Sequence, residues 1–99
     1  MILYSIRGRI GGFAPDAIAW AHEIAALVKK KTGVNVEVAT RLGGAQDIIW
    51  LSRYDSLAAM EAAQAKLPGD ADYLASLKKA TEKGFLIAGA TESAIWRTQ

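Results

Sequence analysis

The stretch Asp47-Ile48-Ile49-Trp50-Leu51-Ser52-Arg53-Tyr54 decides the fold. Ile48, Ile49, Trp50 and Leu51 are consecutive and apolar, and the run reads as a β-strand. Side chains of a strand alternate between its two sides, so both faces here carry apolar groups and both need cover. That places the segment in the middle of a sheet, with shielding on each side.

Upstream, Met1 to Ile10 read as a first strand, with Ile2, Tyr4 and Ile6 alternating against Ser5, Arg7 and Arg9 before Gly11-Gly12 breaks the run. A helix is predicted from Pro15 to Thr32. Pro15 suits the first helical position, Asp16 favours the positive end of the helix dipole, and Phe13 and Ile18 are spaced for a hydrophobic staple. Lys29-Lys30-Lys31 complements the other end, and Gly33 supplies a left-handed stop. Ala17, Ala21, Ile24 and Val28 mark the buried stripe, with Trp20 and Leu27 on one shoulder. Val34 to Val38 alternate as a second strand, and Gly43-Gly44 marks the hairpin or loop into the central one.

Downstream, Asp55 or Ser56 caps a helix carrying Leu57, Met60, Gln64 and Leu67 at helical spacing, ended by Pro68-Gly69. Asp70 caps another, with Tyr73, Leu74, Leu77 and Thr81 on one side and Gly84 as its stop. Phe85 to Ala88 fit either an extended connection or a strand start. Thr91 to Arg97 read as the last strand. The order is βαββαβ, an α+β fold of ferredoxin-like type in a single domain over 1–99, with a four-stranded, antiparallel-type sheet and helices on one face. Within it, strands 1 and 3 are expected to run parallel at the centre. The helix-free face is expected to carry Leu3, Ile49, Leu51 and Ile95. That set is too apolar for water, so a second copy of the chain is the expected cover.

Bulk composition agrees. The chain has 99 residues, of which 52% are apolar or aromatic, a generous share for a domain too small to build a large private core. A net charge of +2, from 12 basic and 10 acidic residues, is too balanced to imply nucleic acid or an anionic membrane. With no cysteine, disulfides, thiolate metal sites and a cysteine nucleophile are excluded. Arg7 and Arg9 interrupt any signal-peptide pattern and no segment is long and apolar enough to span a bilayer, so a cytoplasmic location is expected.

Ile48-Ile49-Trp50-Leu51-Ser52-Arg53-Tyr54-Asp55-Ser56-Leu57-Ala58-Ala59-Met60 resembles the dimeric α/β-barrel superfamily, nearest to its NIPSNAP-like group, with the antibiotic-biosynthesis monooxygenase group close by. In these families the third strand ends in an aromatic residue and enters a helix through Asp-Ser-Leu or similar, as Arg53-Tyr54-Asp55-Ser56-Leu57 does. The tail Gly89-Ala90-Thr91-Glu92-Ser93-Ala94-Ile95-Trp96-Arg97 is similar to the closing strand of the NIPSNAP-like group. Two departures stand out. Ala62, Ala63 and Ala65 replace arginine-rich positions of the second helix, and the Asn–Trp–His set of haem-degrading relatives has no counterpart.

The resemblance implies a pocket between sheet and helices that holds a planar aromatic substrate or haem. Trp50, Tyr54 and Trp96 are the candidates to line it, with Tyr4, Trp20 and Tyr73 contributing and Ser52 leaving space and a hydroxyl; ordinary core packing is the alternative. Arg53 and Tyr73 are candidates for polar contact with the ligand. Arg7, Arg41 and Arg53 can bind a carboxylate or an oxygen anion, and Glu37 and Asp47 are candidate bases, against plain ion pairing. His22, the only histidine, lies roughly 130° from the buried stripe and reads as exposed. The glycine pairs lack the features of phosphate loops, and the third strand lacks the glycine-aromatic signature of RNA-recognition modules. The expected function is small-molecule binding, as a cofactor-independent, metal-free monooxygenase-like enzyme acting on a planar organic substrate. A non-catalytic interaction or ligand-sensing module and a haem binder are the alternatives.

Overall fold

A computed structural model describes all 99 residues. The elements are β1 (Ile2–Arg9), α1 (Ala14–Thr32), β2 (Val36–Thr40), β3 (Asp47–Tyr54), α2 (Leu57–Gln64), α3 (Ala71–Lys83) and β4 (Glu92–Arg97). The four strands form one sheet in the order β2-β3-β1-β4, with β3 and β1 in the middle.

Every neighbouring pair is antiparallel, which corrects the expectation that strands 1 and 3 run parallel. The α1 crossover does produce a parallel relation, but between β1 and β2, which are not adjacent. The β2–β3 connection then reverses the chain and inserts β3 between them, so β3 opposes both. An antiparallel register sets Ile2 opposite Tyr54 and Ile6 opposite Trp50.

Helix ends follow elementary chemistry. Ser56 Oγ accepts from Ala59 N at 3.1 Å and Asp70 Oδ1 accepts from Tyr73 N at 2.9 Å, each taking up a backbone donor that its helix leaves free. At the far end of α1, Gly33 turns left-handed at φ 78° and its N–H reaches Lys29 O. Phe13 precedes α1 without a side-chain cap, and the second strand starts at Val36 because Thr32 Oγ1 holds Val34 N at 3.2 Å.

The Phe85–Ala88 segment is an annex to β1. Gly11 N donates to Phe85 O at 2.9 Å, Ile87 N donates to Arg9 O at 2.9 Å, and Ile10 bridges Leu86. This crowding needs small residues. A Cβ at Gly11 would lie 2.9 Å from the Gly84 carbonyl oxygen.

All helices lie on one side of the sheet, facing Ile2, Tyr4, Ile6, Ile48, Trp50, Ser52 and Tyr54. Buried residues gather in two clusters. One joins Trp20, Ala21, Ile24, Ile48 and Trp50; the other joins Ile2, Tyr54, Met60 and Ala63. The opposite face carries Leu3, Ser5 and Arg7 of β1, Ile49, Leu51 and Arg53 of β3, and Ala94 and Trp96 of β4. Register pairs Leu3 with Trp96 and Tyr4 with Ile95. The assignment of Ile95 to the helix-free face is therefore corrected: Trp96 occupies it, and Ile95 sits on the helix side. The single chain covers only one face, leaving Ile49 36% and Trp96 58% exposed on the other.

Replacing Gly11 by alanine is expected to cost about 1–3 kcal/mol, because the clash is with backbone and cannot rotate away. The Gly43→Ala control, where nothing lies within 4 Å of the added carbon, should change stability by no more than about 0.5 kcal/mol. Urea unfolding midpoints of the two variants check this.

Candidate functional site

The two buried clusters do not merge. Between them, under the helices, lies a cavity of about 290 Å³. Its floor is the helix-facing side of the sheet: Tyr4 and Ile6 from β1, Val36 from β2, and Trp50, Ser52 and Tyr54 from β3. Trp20, Ile24, Ala25 and Val28 of α1 form one wall. Gln64 and Leu67 form the other, Tyr73 and Leu77 of α3 lie over it as a roof, and Leu86 and Thr91 sit at one end. Thr91 and Leu77 are exposed, which opens this side to solvent.

The cavity arises from side-chain size on β3. Ser52 is a small residue between Trp50 and Tyr54 on the same face, so the sheet surface dips there. Trp50 is pinned beside the dip because its Nε1 donates to Ala21 O at 3.1 Å. Tyr54 is pinned too, its hydroxyl receiving Ser52 Oγ at 3.2 Å and Gln64 Nε2 at 3.1 Å.

Above the cavity, α3 rests chiefly on α1. Trp20 Nε1 reaches both the carbonyl and the hydroxyl oxygen of Ser76 at 3.1 Å. The Trp20 ring meets Trp50 edge-on, centroids 5.7 Å apart. Ion pairs complete the attachment: Lys31 to Asp70 at 3.1 Å and to Asp72 at 2.9 Å, and Lys79 to Glu23 at 3.1 Å. The Tyr73 backbone N–H and then Lys31 hold the Asp70 carboxyl below the usual carboxylate range, while Asp72 and then Asp70 raise the Lys31 ammonium.

The lining contains no charged side chain. Thirteen of its 16 residues are hydrophobic and the others are Ser52, Gln64 and Thr91. Burial, and then the neighbouring Tyr4, push the Tyr73 phenol above its ordinary value, so it stays protonated.

Of the residues singled out from sequence, Trp20, Trp50, Ser52, Tyr54 and Tyr73 meet at this cavity, together with Tyr4. Arg53 and Trp96 do not. Both fall on the helix-free face by strand alternation; Arg53 pairs with Glu37, and Trp96 Nε1 donates to Ser5 Oγ at 3.1 Å. Arg7 pairs with Glu92 at 2.9 Å. Asp47 is buried between Arg9 at 2.7 Å and Arg41 at 3.3 Å, and chiefly Arg9 holds its carboxyl below the ordinary range. Glu37 and Asp47 thus sit in ion pairs away from the cavity. His22 is exposed on α1 and outside the lining, so it cannot serve as an axial ligand to anything held there. Sequence reasoning missed Gln64 and Thr91. Gln64 left a signal: it is the polar member of the stripe Leu57, Met60, Gln64, Leu67.

No family's sequence profile matches the chain, and no curated protein matches it significantly. Solved structures do match in shape. An uncharacterised NIPSNAP domain protein from Burkholderia xenovorans superposes with a TM-score of 0.80 at 15% identity, over 100% of this chain and 95% of that one. A NIPSNAP family protein from Agrobacterium tumefaciens gives 0.78 at 19%, over 99% and 92%. SnoaB, a cofactor-independent oxygenase from Streptomyces nogalater, gives 0.72 at 9%, over 99% and 92%. The chain therefore has the ferredoxin-like fold that NIPSNAP domain proteins share with monooxygenase-like proteins such as SnoaB.

Two outcomes are expected from this geometry. Trp20→Phe removes both bonds to Ser76 and should loosen α3 with a stability loss of about 1–3 kcal/mol; hydrogen exchange should quicken in α3 ahead of β1 and β3. Acid acts on the same attachment through Asp70 and on the end of the sheet through Asp47. Asp70 and Asp47 have lowered folded values, so their stabilisation is complete above the unfolded carboxylate value, near 3.9, and is lost as pH falls through the folded ones. Stability should hold from pH 7 to about 5 and drop below about 4. Asp70→Asn should flatten part of that drop in an acid series of thermal melts.

Proposed function

We propose that this protein binds a planar organic molecule in the cavity over Ser52, flanked by Trp50 and Tyr54, and transforms it without a cofactor in a monooxygenase-like reaction. The observation that carries this reading is an uncharged, aromatic-floored cavity left open inside a fold shared with a cofactor-independent oxygenase. Oxygenation without a cofactor must draw its electrons from the substrate. Conversion of a ring CH₂ to C=O by O₂ with release of water balances in that way. The protein's tasks are then to hold an electron-rich ring and shield it from bulk water, and the aromatic walls suit them.

A second reading, a non-catalytic ligand-sensing module, draws on the lack of any Asp, Glu, His or Lys in the lining. The two readings share a binding site and differ in turnover. Titration with a panel of planar aromatics should show saturable binding that Trp50→Ala weakens at least tenfold and Tyr54→Phe weakens about two- to tenfold, the worth of one hydrogen bond. Unchanged binding in both variants removes the site assignment. Oxygen consumption with a bound compound separates enzyme from sensor.

The working unit in this reading is a homodimer joined through the helix-free sheet face. Leu3, Ile49, Leu51, Ala94 and Trp96 make an apolar strip there, edged by the Arg7–Glu92 and Arg53–Glu37 pairs. Such a strip suits a two-fold interface, which buries the same patch on both copies. Sedimentation should give twice the chain mass of 10.6 kDa, and Leu51→Arg should return it to one. A folded wild-type monomer at micromolar concentration overturns the dimer.

A further inference from the structure

We infer that the cavity selects an uncharged ligand carrying a carbonyl-type acceptor, and that Tyr4 and Tyr73 are the pair that reads it. This rests on the binding reading above and adds to it the ligand's charge and the residues that recognise its polar end.

The polar groups of the cavity divide into spent and unspent. Both indole N–H groups are spent inside the protein, Trp50 on Ala21 O and Trp20 on Ser76. Ser52, Tyr54 and Gln64 are bonded to one another. Tyr4 and Tyr73 line the same cavity, and neither hydroxyl has a hydrogen-bond partner in the protein. They approach from opposite sides, Tyr4 from β1 in the floor and Tyr73 from α3 in the roof. They are near enough for the charge of one phenolate to disfavour the other. Tyr73 consequently remains a neutral O–H donor, and each phenol carries one O–H to offer. A ligand that fills the space without offering an acceptor would strand two hydroxyls away from water, at a cost. A ligand acceptor between floor and roof satisfies one or both.

Charge selection follows from the same inventory. A carboxylate or phosphate entering the cavity sheds its hydration and meets no cation. Every arginine with a pairing partner spends it elsewhere: Arg7, Arg9, Arg41 and Arg53 lie in ion pairs outside the lining. A ketone or similar neutral acceptor escapes that penalty and keeps the hydrogen bond.

Three probes of one shape test this by calorimetry at pH 7.5: naphthalene, 2-acetylnaphthalene and 2-naphthoate. The ketone should bind about fivefold more tightly than naphthalene, as one added hydrogen bond implies, and at least about tenfold more tightly than the carboxylate, which enters unpaired. Tyr4→Phe and Tyr73→Phe keep the rings, so each should weaken the ketone several-fold and leave naphthalene unchanged. If naphthalene binds but the ketone gains nothing, or neither variant affects it, the cavity reading stands and the tyrosine pair is wrong. Equal or tighter binding of the carboxylate overturns charge selection. If none of the three probes binds, the binding site itself fails, and this inference with it.

Discussion

The alternation of side chains along β3 is the constraint on which the structure depends. It sends Ile48, Trp50, Ser52 and Tyr54 to the helices and Ile49, Leu51 and Arg53 away from them. The helix-facing set is not graded like an ordinary core strand. Two large aromatic residues flank one serine, and both have a fixed hydrogen bond to the layer above or beside them. Fixed in that way, neither ring can fold over the serine and fill the gap. The core therefore splits into two clusters with space between, whereas a leucine at the same point would let them merge. Packing at interior density makes such a gap costly, so its survival inside a 99-residue domain is the main structural argument that it is used.

The roof of that space is built differently from its floor. β1 and β3 are locked by an eight-residue register. By contrast, α3 rests on α1 through one indole, the buried Ala80 and a few ion pairs, of which Lys31–Asp70 is largely covered and Lys79–Glu23 is exposed. Exposed pairs contribute about 0–1 kcal/mol each. Stability is therefore uneven, with a firm sheet below and a lightly held helix above. Local opening follows the weakest attachments, and the exposed rim at Leu77 lies on that same side.

Much of this was legible in the sequence, and the errors have physical causes. The period-two pattern of Met1 to Ile10 and of Asp47 to Tyr54 determines which residues share a face, and Tyr4, Trp50, Ser52 and Tyr54 line one cavity. Helix spacing added Trp20 and Tyr73. Periodicity is blind to strand direction, however: the pattern fits a parallel β1–β3 pair as well as the antiparallel one the structure shows. The last strand defeated parity altogether. Ala94, Ile95 and Trp96 are consecutive and apolar, and without a polar alternate a one-residue slip exchanges Ile95 for Trp96. Arg53 lies outside the cavity for a different reason: its neighbours in sequence line it, but the alternation that carries Ser52 and Tyr54 inward carries Arg53 outward.

That outward turn of Arg53 belongs to a wider separation of charge. The ion pairs of the sheet lie on its helix-free side or at its end, and none touches the cavity. Asp47 shows how strictly the separation is kept. It is nearly buried, yet it is held by Arg9 directly across the β1–β3 ladder and by Arg41 from the preceding loop, with no contact to the space over Ser52. A charge placed inside would demand a countercharge on the ligand, and a water-filled cavity would weaken every polar contact made there. Keeping charges on the outer face leaves a low-dielectric interior in which a few neutral hydroxyls have a large effect. The same partition gives the outer face an apolar strip with paired charges at its margins.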